Sequence, residues 1–279
     1  MKNCKIFLFL LIALMMTGLS ACYIGPLSQD QTEEEVYQSP DTMPVLIAHG
    51  GGQAYGYRIT NSLDAINMAY DNGFRYIEMD FEITSDNHIV LIHDWDTMGD
   101  RLLGEKGAMT LDEFKSCEKF EDLVLIDSTE LEAWLTAHPD VRILTDVKTE
   151  ENQGDNIKIL TMLKDEFKDA GTYFIPQAYT YDEFEKIKML GYDNVILTLY
   201  RLKLEKSKVL DFIDEHDLWA LTMPQTYLSE GFLNDLSEKD VTVYTHGVND
   251  LYIFEEWQEK GLYGIYTDYF IPSKWPYNK

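Results

Sequence analysis

Glu78 and Asp80 stand two residues apart in the run FRYIEMDFEI, which begins at Phe74. On an extended strand, residues two apart share a face. Tyr76, Glu78, Asp80 and Glu82 therefore look one way, and Ile77, Met79, Phe81 and Ile83 the other. Neighbouring carboxylates on a buried face repel each other and call for a cation between them. After the turn Ser85-Asp86-Asn87 the chain returns in an apolar run, 89–92, that ends in His93-Asp94. Two readings stand at this point: a cation site with a histidine brought over it, or an edge hairpin with a solvated acidic face.

The elements that must position these residues are visible along the chain. Short apolar runs lie at 45–48, 74–80, 141–147, 173–176, 194–199, 218–223, 241–245 and 263–267. Between them come stretches with helical spacing, such as Leu63, Ile66, Ala69 and Tyr70, or Ile157, Leu160, Leu163 and Phe167. Gly73, Gly171, Gly191 and Gly261 stand where helices should end. Eight strand–helix units without a break in composition predict an α/β fold, a (β/α)8 TIM barrel spanning 44–279. A doubly wound sheet is the alternative, but no Gly-x-Gly-x-x-Gly turn follows the first strand. Residues 94 to about 128 form an insertion after the second strand. It has a helical centre near 111–120 and is expected to cap the barrel mouth. Cys117 within it reads as a small packing residue.

In such barrels chemistry sits at the C-terminal ends of the strands. Those ends carry His49, then Glu78 and Asp80, Asp146 and Lys148, Gln177, Tyr200 and Arg201, His246 and Asp268. Polar and metal-ligating types converge on one rim, which favours the cation site. Glu78, Asp80 and Asp146 are the oxygen ligands a hard divalent ion wants, Mg²⁺ or Ca²⁺. Two histidines near such an ion suit acid–base work around neutral pH.

The chain has 49 acidic and 23 basic residues, a net charge of −26. That balance argues against nucleic acid as a partner. Residues 1–21 read as a signal peptide with basic Lys2 and Lys5, an apolar core and a small-residue end. Leu19-Ser20-Ala21-Cys22 resembles a bacterial lipobox. Cys22 would then carry lipid, with 22–43 as a tether and the protein held outside the cytoplasm on the bacterial membrane.

Taken together, these residues resemble the glycerophosphodiester phosphodiesterase family, within the wider group of phosphatidylinositol-phospholipase-C-like barrels. The resemblance covers 45–272. It rests on Ala48-His49-Gly50, Asn61-Ser62-Leu63-Asp64-Ala65, Ile77-Glu78-Met79-Asp80, Thr84-Ser85-Asp86, His93-Asp94, Leu144-Thr145-Asp146-Val147-Lys148 and Gly264-Ile265-Tyr266-Thr267-Asp268-Tyr269. It implies His49 and His93 as the acid–base pair, a divalent cation on Glu78, Asp80 and Asp146, Lys148 facing phosphate, and a small-molecule phosphodiester substrate.

Four positions depart from the family pattern. His-Arg-Gly is here His49-Gly50-Gly51-Gly52, so the usual phosphate-holding arginine is missing. Thr60 stands for a glutamate, Asp146 for a longer glutamate, and the Trp-Thr-Val-Asn run becomes Tyr244-Thr245-His246-Gly247-Val248-Asn249. Arg58 or Arg201 is expected to replace the missing arginine, with Gln177 and His246 shaping the pocket. The alternative is a barrel with little or no turnover that binds phosphoglycerol at the cell envelope.

Overall fold

The computed structural model describes residues 42–147 and 153–274. The expected leader, Cys22, the tether and Lys148 lie outside the described residues. The first barrel strand, β1 (Leu46–Ala48), is followed by a small hairpin, β2 (Gln53–Ala54) and β3 (Tyr57–Arg58), and then by α1 (Leu63–Asp71). Next come β4 (Tyr76–Ile83), its antiparallel return β5 (Ile89–Leu91), and the insertion with α2 (Thr97–Leu103) and α3 (Leu111–Ser116). Then α4 (Ser128–Ala137), β6 (Arg142–Asp146), α5 (Gln153–Glu166), α6 (Ala170–Tyr173), β7 (Phe174–Ala178), α7 (Tyr181–Met189) and β8 (Ile196–Thr198) follow in order. The chain continues through α8 (Lys206–Glu215), β9 (Ala220–Met223), α9 (Glu230–Ser237), β10 (Val243–Thr245), α10 (Leu251–Gln258) and β11 (Gly264–Thr267).

Eight of these strands are parallel neighbours in the order β1, β11, β10, β9, β8, β7, β6, β4, and β4 closes the ring on β1 through Ala48 opposite Ile77. The (β/α)8 barrel is therefore the fold, and each of the eight apolar runs became one of its strands. Closure divides the strand residues by parity. One set packs outward on the helices, including Ile77, Met79, Ile143, Leu197, Leu221 and Ile265. The other fills the interior: Ile47, Tyr76, Leu144, Ile175, Ile196, Ala220, Tyr244 and Tyr266.

This inner plug sets what stands above it. Side chains two residues further along each strand point the same way. Adding two to each interior position gives His49, Glu78, Asp146, Gln177, Thr198, Thr222, His246 and Asp268. Every strand thus contributes one polar residue to the layer at its C-terminal end.

Helix ends follow the sequence chemistry. Ser62 caps α1 by accepting from Ala65 N–H, Thr110 and Asp127 form capping boxes with Glu113 and Glu130, and Asp250 caps α10. Gly73, Gly191 and Gly261 have positive φ just beyond helices. Gly171 does not. The chain turns again after Glu166, and Gly171 lies inside α6, where Thr172 N–H bonds Asp169 O at 2.8 Å. The insertion has its own apolar cluster, built on Val90, Ile92, Met98, Leu102, Phe114 and Leu125. Cys117 packs against it, as expected.

The lower end of the plug is tight. A Cβ on Gly264 would come within 2.5 Å of Val45 O and 2.6 Å of the Tyr244 ring. Tyr244 cannot yield easily, because it is buried and donates to Pro44 O at 2.7 Å. Gly264→Ala is expected to destabilise the barrel by about 1–3 kcal/mol, read as a lower urea midpoint. An unchanged midpoint would show that the plug relaxes freely.

Candidate functional site

Glu78, Asp80 and Asp146 meet at the barrel mouth with ligand oxygens within 4.8 Å of one another. Register brings them together, since β4 and β6 run parallel with Asp80 opposite Asp146. Relative exposures are 1%, 1% and 5%. Three carboxylates this close and this dry repel strongly unless a cation compensates them. The donor set is all oxygen, which fits Mg²⁺ or Ca²⁺.

Nearby donors orient the cluster. Gly50 N–H donates to Glu78 Oε2 at 2.6 Å, and Gly51 N–H to Glu78 O at 2.8 Å. Asn61 grips Asp80 twice, its amide donating to Oδ2 at 2.8 Å while its Oδ1 accepts Asp80 N–H at 3.0 Å. Asn61 does this from φ +50°, a conformation asparagine tolerates better than most residues.

The two histidines are each fixed by a carboxylate. His49 Nδ1 lies 2.9 Å from Asp268 Oδ1, across 219 residues of sequence. Asp268 Oδ2 also accepts from Asn249 Nδ2 at 2.8 Å and Arg58 Nη1 at 3.2 Å. Asn249 Oδ1 in turn accepts the Asp268 N–H at 3.0 Å. His93 Nδ1 lies 2.7 Å from Asp94 Oδ2. Asp94 Oδ1 takes backbone N–H groups of Asp96, Thr97 and Met98, tying the pair to the start of α2. His93 follows two residues after Leu91, which is in register with Phe81. The chain there has returned alongside the segment that carries Asp80.

Charge sets the protonation of His49. Burial pulls its imidazole down, but the hydrogen bond to Asp268 and the charges of Glu78, Asp268 and Asp80 outweigh burial and raise it from 6.5 to about 9. Burial pushes Asp268 up, yet its bonds from His49, Asn249 and Arg58 hold it below the ordinary range. For Asp94, burial is likewise outweighed by His93 and the backbone donors, so it too is lowered.

The remaining expected residues are placed as follows. His246 stacks on Tyr266 with centroids 4.4 Å apart and shares a hydrogen bond with Thr222 Oγ1 at 3.0 Å. Gln177 is buried and accepts from Tyr266 OH at 3.5 Å. These two shape the floor of the mouth. Arg58 stands at the rim on the Asp268 side, 46% exposed. Arg201 is exposed and lies over the Tyr179 ring at 4.2 Å, with Nη2 3.4 Å from Val147 O.

A model of the glycerophosphoryl diester phosphodiesterase family matches residues 49–271. The chain belongs to that family. Its members are phosphodiesterases, so the chain is classed as a phosphoric diester hydrolase. Solved structures show the same barrel. A phosphodiesterase from Oleispira antarctica, in complex with the product sn-glycerol-3-phosphate, is 17% identical, with a TM-score of 0.66 over 83% of this chain and 95% of that one. A glycerophosphodiester phosphodiesterase from Parabacteroides distasonis is 19% identical, with a TM-score of 0.65 over 80% of this chain and 92% of that one. One from Thermotoga maritima is 19% identical, with a TM-score of 0.64 over 81% and 95%.

Neutralising one of the clustered carboxylates relieves repulsion in the metal-free protein. Asp146→Asn is therefore expected to melt no lower than the parent without metal, and to lack the rise in melting temperature expected of the parent in Mg²⁺ or Ca²⁺. A matching rise in the variant would remove Asp146 from the cation site.

His49 is raised in the folded state, so its contribution to stability is full below its unfolded value of 6.5 and is lost as pH climbs through about 9. The urea midpoint of the metal-free protein should fall across that window, and fall less steeply in Asp268→Asn. Equal slopes would break the assignment.

Proposed function

We propose that the chain is a metal-dependent hydrolase of glycerophosphodiesters or related polyol phosphodiesters, working by two-histidine acid–base catalysis. The observation that carries this reading is the buried carboxylate triad with two histidine–carboxylate pairs brought to the same mouth. The product bound by the Oleispira antarctica relative supports glycerol phosphate as one half of the substrate.

A cation on Glu78, Asp80 and Asp146 would offset phosphate charge and lower the pKa of a bound hydroxyl. The protein's own groups handle the protons. Nδ1 of each histidine is committed to its aspartate, which leaves Nε2 for the reacting oxygens. One histidine takes the proton of the attacking hydroxyl as the new P–O bond forms. The other gives a proton to the leaving alkoxide as the old P–O bond breaks. When the nucleophile is the substrate's own neighbouring hydroxyl, the product is a cyclic phosphate, which water opens with the two roles exchanged. Arg58 supplies the phosphate grip, as an exposed guanidinium that shares Asp268 with His49. Arg201, and Lys148 beyond the described residues, add positive charge to the same reading.

The leader and Cys22 support a lipoprotein anchored to the bacterial membrane outside the cytoplasm. No helix among the described residues is long and apolar enough to cross a membrane; the proposed anchor is the lipid on Cys22. Labelling with a radioactive fatty acid should mark the parent and not Cys22→Ala; equal labelling would remove the anchor.

Turnover of a glycerophosphodiester is expected to stop in EDTA and to return with Mg²⁺ or Ca²⁺. His49→Gln and His93→Gln should each lower kcat by about 10²–10⁴ while the cation still binds. A rate indifferent to EDTA would sink the metal, and full activity in either variant would sink the two-histidine mechanism.

A further inference from the structure

Gly50 occupies the position where the family usually carries arginine. Its φ is +57°, and a Cβ there would stand 2.7 Å from Ile59 Cα and 2.9 Å from Ile59 Cγ2. The nearest clash is with backbone, which cannot swing aside. Asn61 N–H also bonds Gly50 O at 3.1 Å. No side chain fits at position 50 while residues 59–61 lie where they do.

The segment that excludes a side chain there also delivers Arg58. The β2–β3 hairpin leaves the glycine loop, turns through Tyr55 and Gly56 at positive φ, and returns with Arg58 at its end. Arg58 then reaches Asp268 Oδ2 at 3.2 Å and lies 5.5 Å from the Tyr269 ring centroid. The guanidinium comes to the mouth from the hairpin rather than from the histidine loop.

Two strands of two residues each do not hold themselves. The insertion holds them. The Tyr57 ring meets Phe120 edge-on, with centroids 4.9 Å apart at 85°, and its hydroxyl donates to Glu121 Oε1 at 3.2 Å. Arg101 lies 6.0 Å from the Tyr57 centroid and donates to Arg58 O at 3.4 Å. Asp64 joins the two segments, accepting Tyr55 OH at 3.1 Å on one oxygen and Val124 N–H at 2.9 Å on the other.

We propose that the insertion, residues 94 to about 128, is a positioning element for anion recognition: Phe120 and Arg101 fix Tyr57 and the Arg58 backbone, and so set where Arg58 meets the substrate phosphate. This rests on the reading of Arg58 as the phosphate grip. Neither Phe120 nor Arg101 touches the reacting atoms. Asp268 keeps its bonds to His49 and Asn249 when Arg58 shifts, so their effect belongs in substrate affinity rather than in the proton transfers.

The test is a double-mutant cycle on the full chain in Mg²⁺ and Ca²⁺, using a glycerophosphodiester for kinetics and sn-glycerol 3-phosphate for calorimetric binding. Phe120→Ala and Arg101→Gln are each expected to raise KM and the Kd for glycerol phosphate by about tenfold, with kcat within about twofold. Tyr57→Phe, which keeps the ring contact, should stay near the parent. Arg58→Ala should raise both constants at least as much, and Phe120→Ala should add little in the Arg58→Ala background. Arg101→Gln gives an independent reading if Phe120→Ala does not fold. Equal effects of Phe120→Ala or Arg101→Gln with and without Arg58, or no effect of either beside a strong Arg58→Ala, would overturn the positioning role while the phosphate grip stands. An inert Arg58→Ala would overturn the grip itself.

Discussion

Mutual repulsion among Glu78, Asp80 and Asp146 is the constraint around which the mouth is arranged. Three buried carboxylates within 4.8 Å repel one another unless neighbouring donors or a cation offset their charge. The loops beside them bend to supply donors. Gly50, Gly51 and Gly52 all have positive φ, as do Ile59 and Asn61. The glycines let one loop turn its N–H groups onto Glu78, and Ile59 and Asn61 carry backbone strain in the loop that brings an amide to Asp80. Barrel closure does the rest, since parity along β4 and β6 leaves these side chains nowhere to point but inward.

The two histidines share a design but differ in how they are built. His93 and Asp94 are neighbours in the chain, and the first turn of α2 holds the aspartate. His49 and Asp268 meet only because β1 pairs with β11, with Ala48 opposite Thr267. In the second pair Asn249 and Arg58 also share the aspartate, so the first and last barrel strands, the end of β10 and the small hairpin converge on one carboxylate.

The barrel could be read from the sequence because alternation and helical spacing are local signals. All eight strands appeared where apolar runs stood, and alternation put Glu78 and Asp80 on one face, while the family resemblance singled out Asp146 beside them. Other features depend on contacts across great chain distance and leave no local mark. Nothing near Asp268 says that it orients His49. The β2–β3 hairpin leaves no such signal, because two-residue strands have too few residues to show a period. Asn61 stood inside a quoted motif, yet its bidentate hold on Asp80 needs the fold to appear. Gly171 misled for the opposite reason: a glycine after a helical run is a common end signal, and here a second helical turn absorbed it.

The antiparallel return of β4 into β5 has a mechanical consequence. Glu78 and Asp80 and the strand leading to His93 belong to one continuous ribbon, crosslinked by the ladder from Phe81–Leu91 to Ile83–Ile89. A thermal excursion of that ribbon carries two of the proposed ligands and one proposed acid–base group together. The separation between ion and proton carrier is thereby shielded from motions that would otherwise blur it. His49 sits on the other side of the closure seam and is tied to Glu78 through the N–H groups of Gly50 and Gly51. Those bonds span the contact between β1 and β4, so the seam itself sets where His49 stands relative to the carboxylates.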